Sequence, residues 1–141
     1  MSVMKSKVFI DSNIWVYMFT EDEQKSQSAK EFIKQCVDED HIVISYQVIN
    51  EVCYVLRKNK FTEADIKKVA RYMMGICEIV AFGSEEVLFA SELRDMLSLS
   101  YWDSLIVSSS LLAKCVVLAS EDMQDGLRIG DMVVRNVLIR R

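Results

Sequence analysis

Lys7-Val8-Phe9-Ile10-Asp11-Ser12-Asn13-Ile14-Trp15-Val16-Tyr17-Met18-Phe19 decides how this chain is read. Lys7 to Ile10 has the length and apolar character of a short buried strand, and it ends on a carboxylate, Asp11. Ser12 or Asn13 can cap the apolar helix that follows at once. A strand that passes straight into a helix, with no polar alternation along it, belongs in a sheet covered on both faces.

The pattern repeats along the chain. Residues 21–23 open a long amphipathic helix whose inner stripe is Ala29, Phe32, Ile33 and Val37, and which runs out near Asp38-Glu39-Asp40. Residues 42–44 form a second strand, capped by Ser45 into a helix carrying Val48, Val52, Val55 and Leu56, with Glu51 near its first turn. Thr62 and Asp65 have capping-box spacing for a further helix facing inward through Ile66, Val69, Tyr72 and Met73. Residues 77–81 read as a third strand. Ser84 starts a helix to about Leu97, with Val87, Leu88, Ala90 and Leu93 inward. Ser100 opens the next helix, which continues to Lys114. Residues 115–119 are a strongly apolar strand leaving through Ser120-Glu121-Asp122, and after Gly126 extended segments are expected over 127–129 and 133–139. Short apolar strands alternating with helices predict an α/β fold, a central parallel sheet surrounded by helices.

Composition fits one domain over 1–141. A chain of 141 residues, 51% hydrophobic, without proline or a Gly/Ser linker, is long enough to bury a sizeable core. Its formal charge of −4 argues against binding nucleic acid through bulk charge. Bound cations can still reverse the field inside an acidic cleft. Cys36, Cys53, Cys77 and Cys115 are widely spaced and His41 is the single histidine, so free buried thiols in a reducing cytoplasm are expected rather than a zinc site. The start, MSVMKSKVFIDSN, reaches Asp11 too soon for a signal-peptide hydrophobic region, and no apolar run approaches membrane-spanning length.

Ligand chemistry in an open α/β sheet belongs at the carboxyl ends of its strands. Asp11 and Asp122 fall there, Glu51 can reach the same crevice from its helix, and Asp103 from the first turn of the helix opened by Ser100. Carboxylates gathered in this way repel one another unless a divalent cation joins them, and their hard oxygens suit Mg²⁺ or Mn²⁺. Such ions would polarise a scissile phosphate and ease proton loss from an attacking water, so phosphodiester hydrolysis is the expected chemistry. Asp11, Asp103 and Asp122 are assigned mainly to metal binding, and Glu51 to ligation or to a base behind the ligands. Each acid also has a structural reading: Asp11 and Asp103 as helix caps, Glu51 as a solvent-facing residue, Asp122 as a turn former. Asn13 and Ser120 can orient carboxylates or serve as cap and turn. Asp125 is a further candidate ligand, or a turn residue beside Gly126. Trp15, Tyr17, Phe19, Tyr101 and Trp102 are aromatic candidates for base stacking, or for the core or a dimer contact. Arg57-Lys58-Asn59-Lys60 with Lys67, Lys68 and Arg71 offers a local basic surface or a solvated helix face.

The segments VFIDSNIWVYMF (8–19), SYQVINEVCYVLRK (45–58), SYWDSLIVSSSLLAKC (100–115) and VLASEDMQDG (117–126) together resemble the PIN-domain ribonucleases, in particular the VapC-like toxins of type II toxin–antitoxin systems. The resemblance implies a PIN-like three-layer sandwich and a metal-dependent ribonuclease. Its Mg²⁺ or Mn²⁺ would lie on Asp11, Glu51, Asp103 and Asp122, supported by Asn13 and Ser120. It also implies a homodimer and a cognate antitoxin that masks the site, often with a basic side chain. Relatives often close on an Asn-Pro-Phe-like sequence where this chain reads Asn136-Val137-Leu138-Ile139. A noncatalytic interaction domain on the same scaffold is the alternative. A phosphatase of the haloacid dehalogenase type would need a second Asp at position 13, which is Asn13 here. A response-regulator receiver would need an Asp-then-Lys arrangement on later strand ends, and none is convincing.

Overall fold

The computed structural model describes residues 5–139. Met1 to Met4, where the expectation about the N-terminus in part falls, lie outside them. The chain runs β1 (Lys7–Ile10), α1 (Ser12–Tyr17), α2 (Glu23–Glu39), β2 (His41–Ser45), α3 (Tyr46–Lys58), α4 (Glu63–Ile76), β3 (Glu78–Val80), α5 (Ser84–Met96), α6 (Tyr101–Leu112), β4 (Val117–Ala119), β5 (Arg128–Ile129) and β6 (Met132–Arg135).

These strands form one sheet in the order β3-β2-β1-β4-β6-β5. Pairings from β3 across to β6 are parallel, with Phe9 opposite Val43 on one side and Leu118 on the other. The expectation of a parallel sheet needs one correction at its edge: β5 pairs with β6 antiparallel. A two-residue connection joins those strands, and Gly130 at its first position has φ 59, a conformation that glycine adopts at little cost.

Right-handed crossovers explain where the helices sit. From β1 to β2 to β3 the chain moves one way across the sheet. It then returns past β1 to reach β4, so α5 and α6 belong on the face opposite α1 to α4. The packing agrees: α1 touches α2 and α3, α3 touches α4, and α5 packs along α6. The core between the layers is built from Phe9, Ile10, Trp15, Ile33, Ile44 and Leu118, all fully buried. Trp15 also satisfies its indole N–H on the Ile10 carbonyl at 3.0 Å, so it is a core residue and takes no part in stacking on bases.

Several inward assignments are corrected by the structure. Tyr72 and Val37 are exposed, and so are Val87 and Leu88, whereas Ala90 and Leu93 of α5 are buried as expected. The final extended segment stops at Arg135. Beyond it, Asn136 accepts the Leu138 N–H and turns the chain. All four cysteines are free. Burial pushes the thiols of Cys36, Cys77 and Cys115 up to about 12, so they are not nucleophiles. Among the described residues no helix is long and apolar enough to cross a membrane.

Candidate active site

The sheet's switch point lies between β1 and β4, where chain order reverses on either side of β1. Asp11 follows β1 directly, and its backbone N–H continues the ladder to the Ala119 carbonyl at 2.9 Å. Its side chain is 4% exposed. One carboxylate oxygen accepts the Ser12 N–H at 2.8 Å, capping α1, and the other accepts the Ser120 hydroxyl at 2.8 Å. Asp11 is therefore both cap and buried acid. Burial raises its pKa from 3.8 to about 6; the Ser120 and Ser12 hydrogen bonds oppose that rise, while the charges of Glu51 and Asp103 add to it.

The other three acids line a single cavity of about 920 Å³. Glu51 comes from α3. It accepts the Ser12 hydroxyl at 2.7 Å and the Gln47 amide at 2.7 Å, so Ser12, whose N–H goes to Asp11, bridges the two acids. Asp103 sits in the first turn of α6, whose N-cap, Ser100, accepts the Asp103 N–H at 3.1 Å. Burial raises the Asp103 pKa first, a Ser100 hydrogen bond opposes this, and the charges of Asp122 and Glu51 raise it further. Asp122 is held by the Asn13 amide at 3.0 Å, while Asn13 takes the Glu121 N–H on its own oxygen at 3.1 Å. Glu121 itself turns aside, to Tyr17 at 2.9 Å and Lys25 at 2.7 Å.

Asp125 does not line this cavity; it accepts the Asn136 N–H at 2.9 Å. Of the aromatic candidates, Trp102 lines the cavity, while Tyr17 and Phe19 do not. Tyr54 and Phe82, not singled out from the sequence, line it with the amides of Gln47 and Asn50. Helical spacing carried the signal for part of that set, since positions 47, 51 and 54 share one face of α3. Phe82 lies on a loop and had no such signal.

Hard oxygen donors beside a buried, proton-hungry carboxylate, with no Lys, Arg or His lining the cavity among the described residues, have the donor chemistry that suits a divalent cation. Yet among the described residues no three acidic, histidine or cysteine side chains stand at the spacing that one ion requires. The side chains as rotated satisfy their oxygens on Ser12, Ser120, Gln47 and Asn13, and Coulombic repulsion favours that arrangement over convergence on one point.

The PIN domain profile matches residues 8–126, well over half of the sequence. The chain belongs to the PIN-domain family. No curated protein matches it. Its fold is shared with VapBC2 from Rickettsia felis, solved on a fragment of promoter DNA (TM-score 0.71, 20% identity, covering 92% of this chain and 97% of that one). VapBC-1 from nontypeable Haemophilus influenzae is similar at TM-score 0.69 and 15% identity, over 93% of this chain and 98% of the other. VapC20 from Mycobacterium tuberculosis, described as a toxin that cleaves the sarcin-ricin loop, aligns with this PIN-domain protein at TM-score 0.65 and 14% identity, over 82% of this chain and 89% of its own.

Proposed function

We propose that this PIN domain is a divalent-metal-dependent ribonuclease, hydrolysing RNA phosphodiester bonds as the toxin of a toxin–antitoxin pair. The observation that carries the reading is one cavity walled by Glu51, Asp103 and Asp122, with Asp11 buried beside it and charge-coupled to Glu51 and Asp103. Family membership supports it, as does the fold shared with VapC20.

Asp11, Asp103 and Asp122 would hold Mg²⁺ or Mn²⁺, with Glu51 as a further ligand or as proton acceptor. A bound ion supplies the positive charge that draws a phosphate into an acidic cleft and offsets charge on the departing 3′ oxygen. The remaining work falls to the chain. Ser12 and Ser120 fix both oxygens of Asp11. Asn13, itself pinned by the Glu121 N–H, sets the rotation of Asp122. Gln47 and Ser12 hold Glu51 where it can take a proton from an attacking water. A cognate antitoxin, a homodimer and a cytoplasmic setting complete the proposal.

Purified protein with Mg²⁺ or Mn²⁺ should cleave members of an RNA panel, and chelation should stop it. Asp11→Asn and Asp103→Asn should each lower the rate at least about 100-fold, beyond the 10- to 100-fold typical of losing an outer-shell partner. Both variants should stay folded by circular dichroism. The separation of the acids as rotated favours one second reading, a noncatalytic PIN-like interaction domain. Inactivity of wild type and both variants alike would leave that reading in place, whereas equal turnover by all three would overturn the roles given to Asp11 and Asp103.

A further inference from the structure

The acid cavity has a second wall. Trp102 is 65% exposed, Tyr54 64% and Phe82 39%, and all three border the same space as Glu51, Asp103 and Asp122. Leaving three large aromatic surfaces in water forgoes burial free energy that a purely structural side chain would collect. Trp102 and Tyr54 are also braced. Tyr101 meets Trp102 edge-on, with ring centres 5.3 Å apart, and Arg94 lies 4.5 Å from the centre of the Tyr101 ring. Arg94 is fixed in turn by a 2.7 Å hydrogen bond to Ser104. On the other side, the Lys58 ammonium stands 5.5 Å from the centre of the Tyr54 ring. Rings held before a ligand arrives lose little freedom on binding it.

Charge complementarity narrows the occupant. Among the described residues the cavity lining carries no Lys or Arg, so those side chains cannot grip a polyanion through its phosphates. The neutral part of a nucleotide is its base. Every base presents a π-face that stacks on an aromatic ring. Gln47 and Asn50 add amides that can meet a base edge, although Gln47 is shared with Glu51. Bases inside a duplex hide their faces from such a wall.

We propose that Tyr54, Phe82 and Trp102 form a stacking wall that seats one unpaired base next to the scissile phosphate. This rests on the ribonuclease reading. The acids take the backbone side of one nucleotide through their cations, and the aromatic wall takes its base.

The chain's two tryptophans allow a test that does not depend on turnover, because Trp15 is fully buried and Trp102 is exposed. The Asp11→Asn protein in Mg²⁺, titrated with a single-stranded RNA oligonucleotide, should show quenching of Trp102 emission. The same strand annealed to its complement should quench far less, and Asp11→Asn/Trp102→Phe should lose the signal. In steady-state cleavage with Mn²⁺, Trp102→Ala and Tyr54→Ala should each raise KM roughly 5- to 150-fold, the range expected for one lost stack, with a smaller effect on kcat. Trp102→Phe should recover most of the loss. Cleavage that continues with KM unmoved in both alanine variants overturns the wall while leaving the ribonuclease intact. No cleavage by wild type, with single-strand-specific quenching, overturns the ribonuclease and keeps the wall. If Trp102→Ala instead dissociates a dimer and leaves KM unchanged, the aromatic surface is a subunit contact and the proposal falls.

Discussion

Asp11 is held in place against its own preference for water. Its carboxyl titrates near 3.8 when unfolded and near 6 when buried, a difference worth about 3 kcal/mol. Below pH 3.8 both states are protonated and the group is neutral to stability. Between pH 3.8 and about 6 the unfolded chain releases its proton first, so folding stability falls as pH rises, and above that range the full cost is present. Urea unfolding of chelator-treated protein should therefore show Asp11 destabilising the fold progressively from pH 4 to 7. Asp11→Asn should flatten that stretch and be more stable than wild type at pH 7, by up to about 3 kcal/mol. A variant less stable than wild type at pH 7 would show that the hydrogen bonds from Ser12 and Ser120 outweigh burial. Asp103 shares the direction of the shift but is less buried, so Asp103→Asn should gain less.

At the scale of elements, caps place the acids. Ser100 begins α6 and accepts the Asp103 N–H, so the same bond that starts the helix fixes the backbone under a cavity carboxylate. Ser100→Ala should cost about 1 kcal/mol in thermal or urea unfolding and should weaken cleavage by roughly tenfold through the displaced Asp103, with Ser100→Asp retaining most of the stability. An unchanged melting point would mean that α6 is set by packing alone. Much of this was legible in advance, because strand ends and caps are local: Asp11 after β1, Thr62 before α4 and Ser100 before α6 can be read from neighbouring residues. The roll of a helix about its axis is not local. Val87 and Leu88 looked inward, but the contact of α5 with α6 turns them to solvent. The same limit hid Tyr54, whose place depends on which side of α3 turns to the cavity that it lines together with α6. Phe82, on the loop between β3 and α5, joins the site only through the crossover that carries the chain back past β1.

Across the whole molecule, a formal charge of −4 is distributed so that the switch point of the sheet gathers acids, with no Lys, Arg or His among the described residues of the wall. Such a fold has a built-in linkage: an ion that binds the folded cleft and not the unfolded chain stabilises it by RT ln(1 + [L]/Kd). At a hundredfold excess over Kd that amounts to about 2.7 kcal/mol, enough to move the melting temperature by several degrees in a chain of this size. Mn²⁺ and Mg²⁺ should raise the melting temperature of wild type in a saturable way. Ca²⁺, larger and more tolerant of irregular geometry, distinguishes a loose acidic patch from a site that demands octahedral order. Asp11→Asn/Asp103→Asn should start from a higher metal-free melting temperature, because repulsion is relieved, and should gain almost nothing from either ion. The two curves should then approach each other as metal is added to the wild type. Parallel curves, with wild type and double variant shifted equally by metal, would place the binding elsewhere on the surface and remove the cation from the cleft.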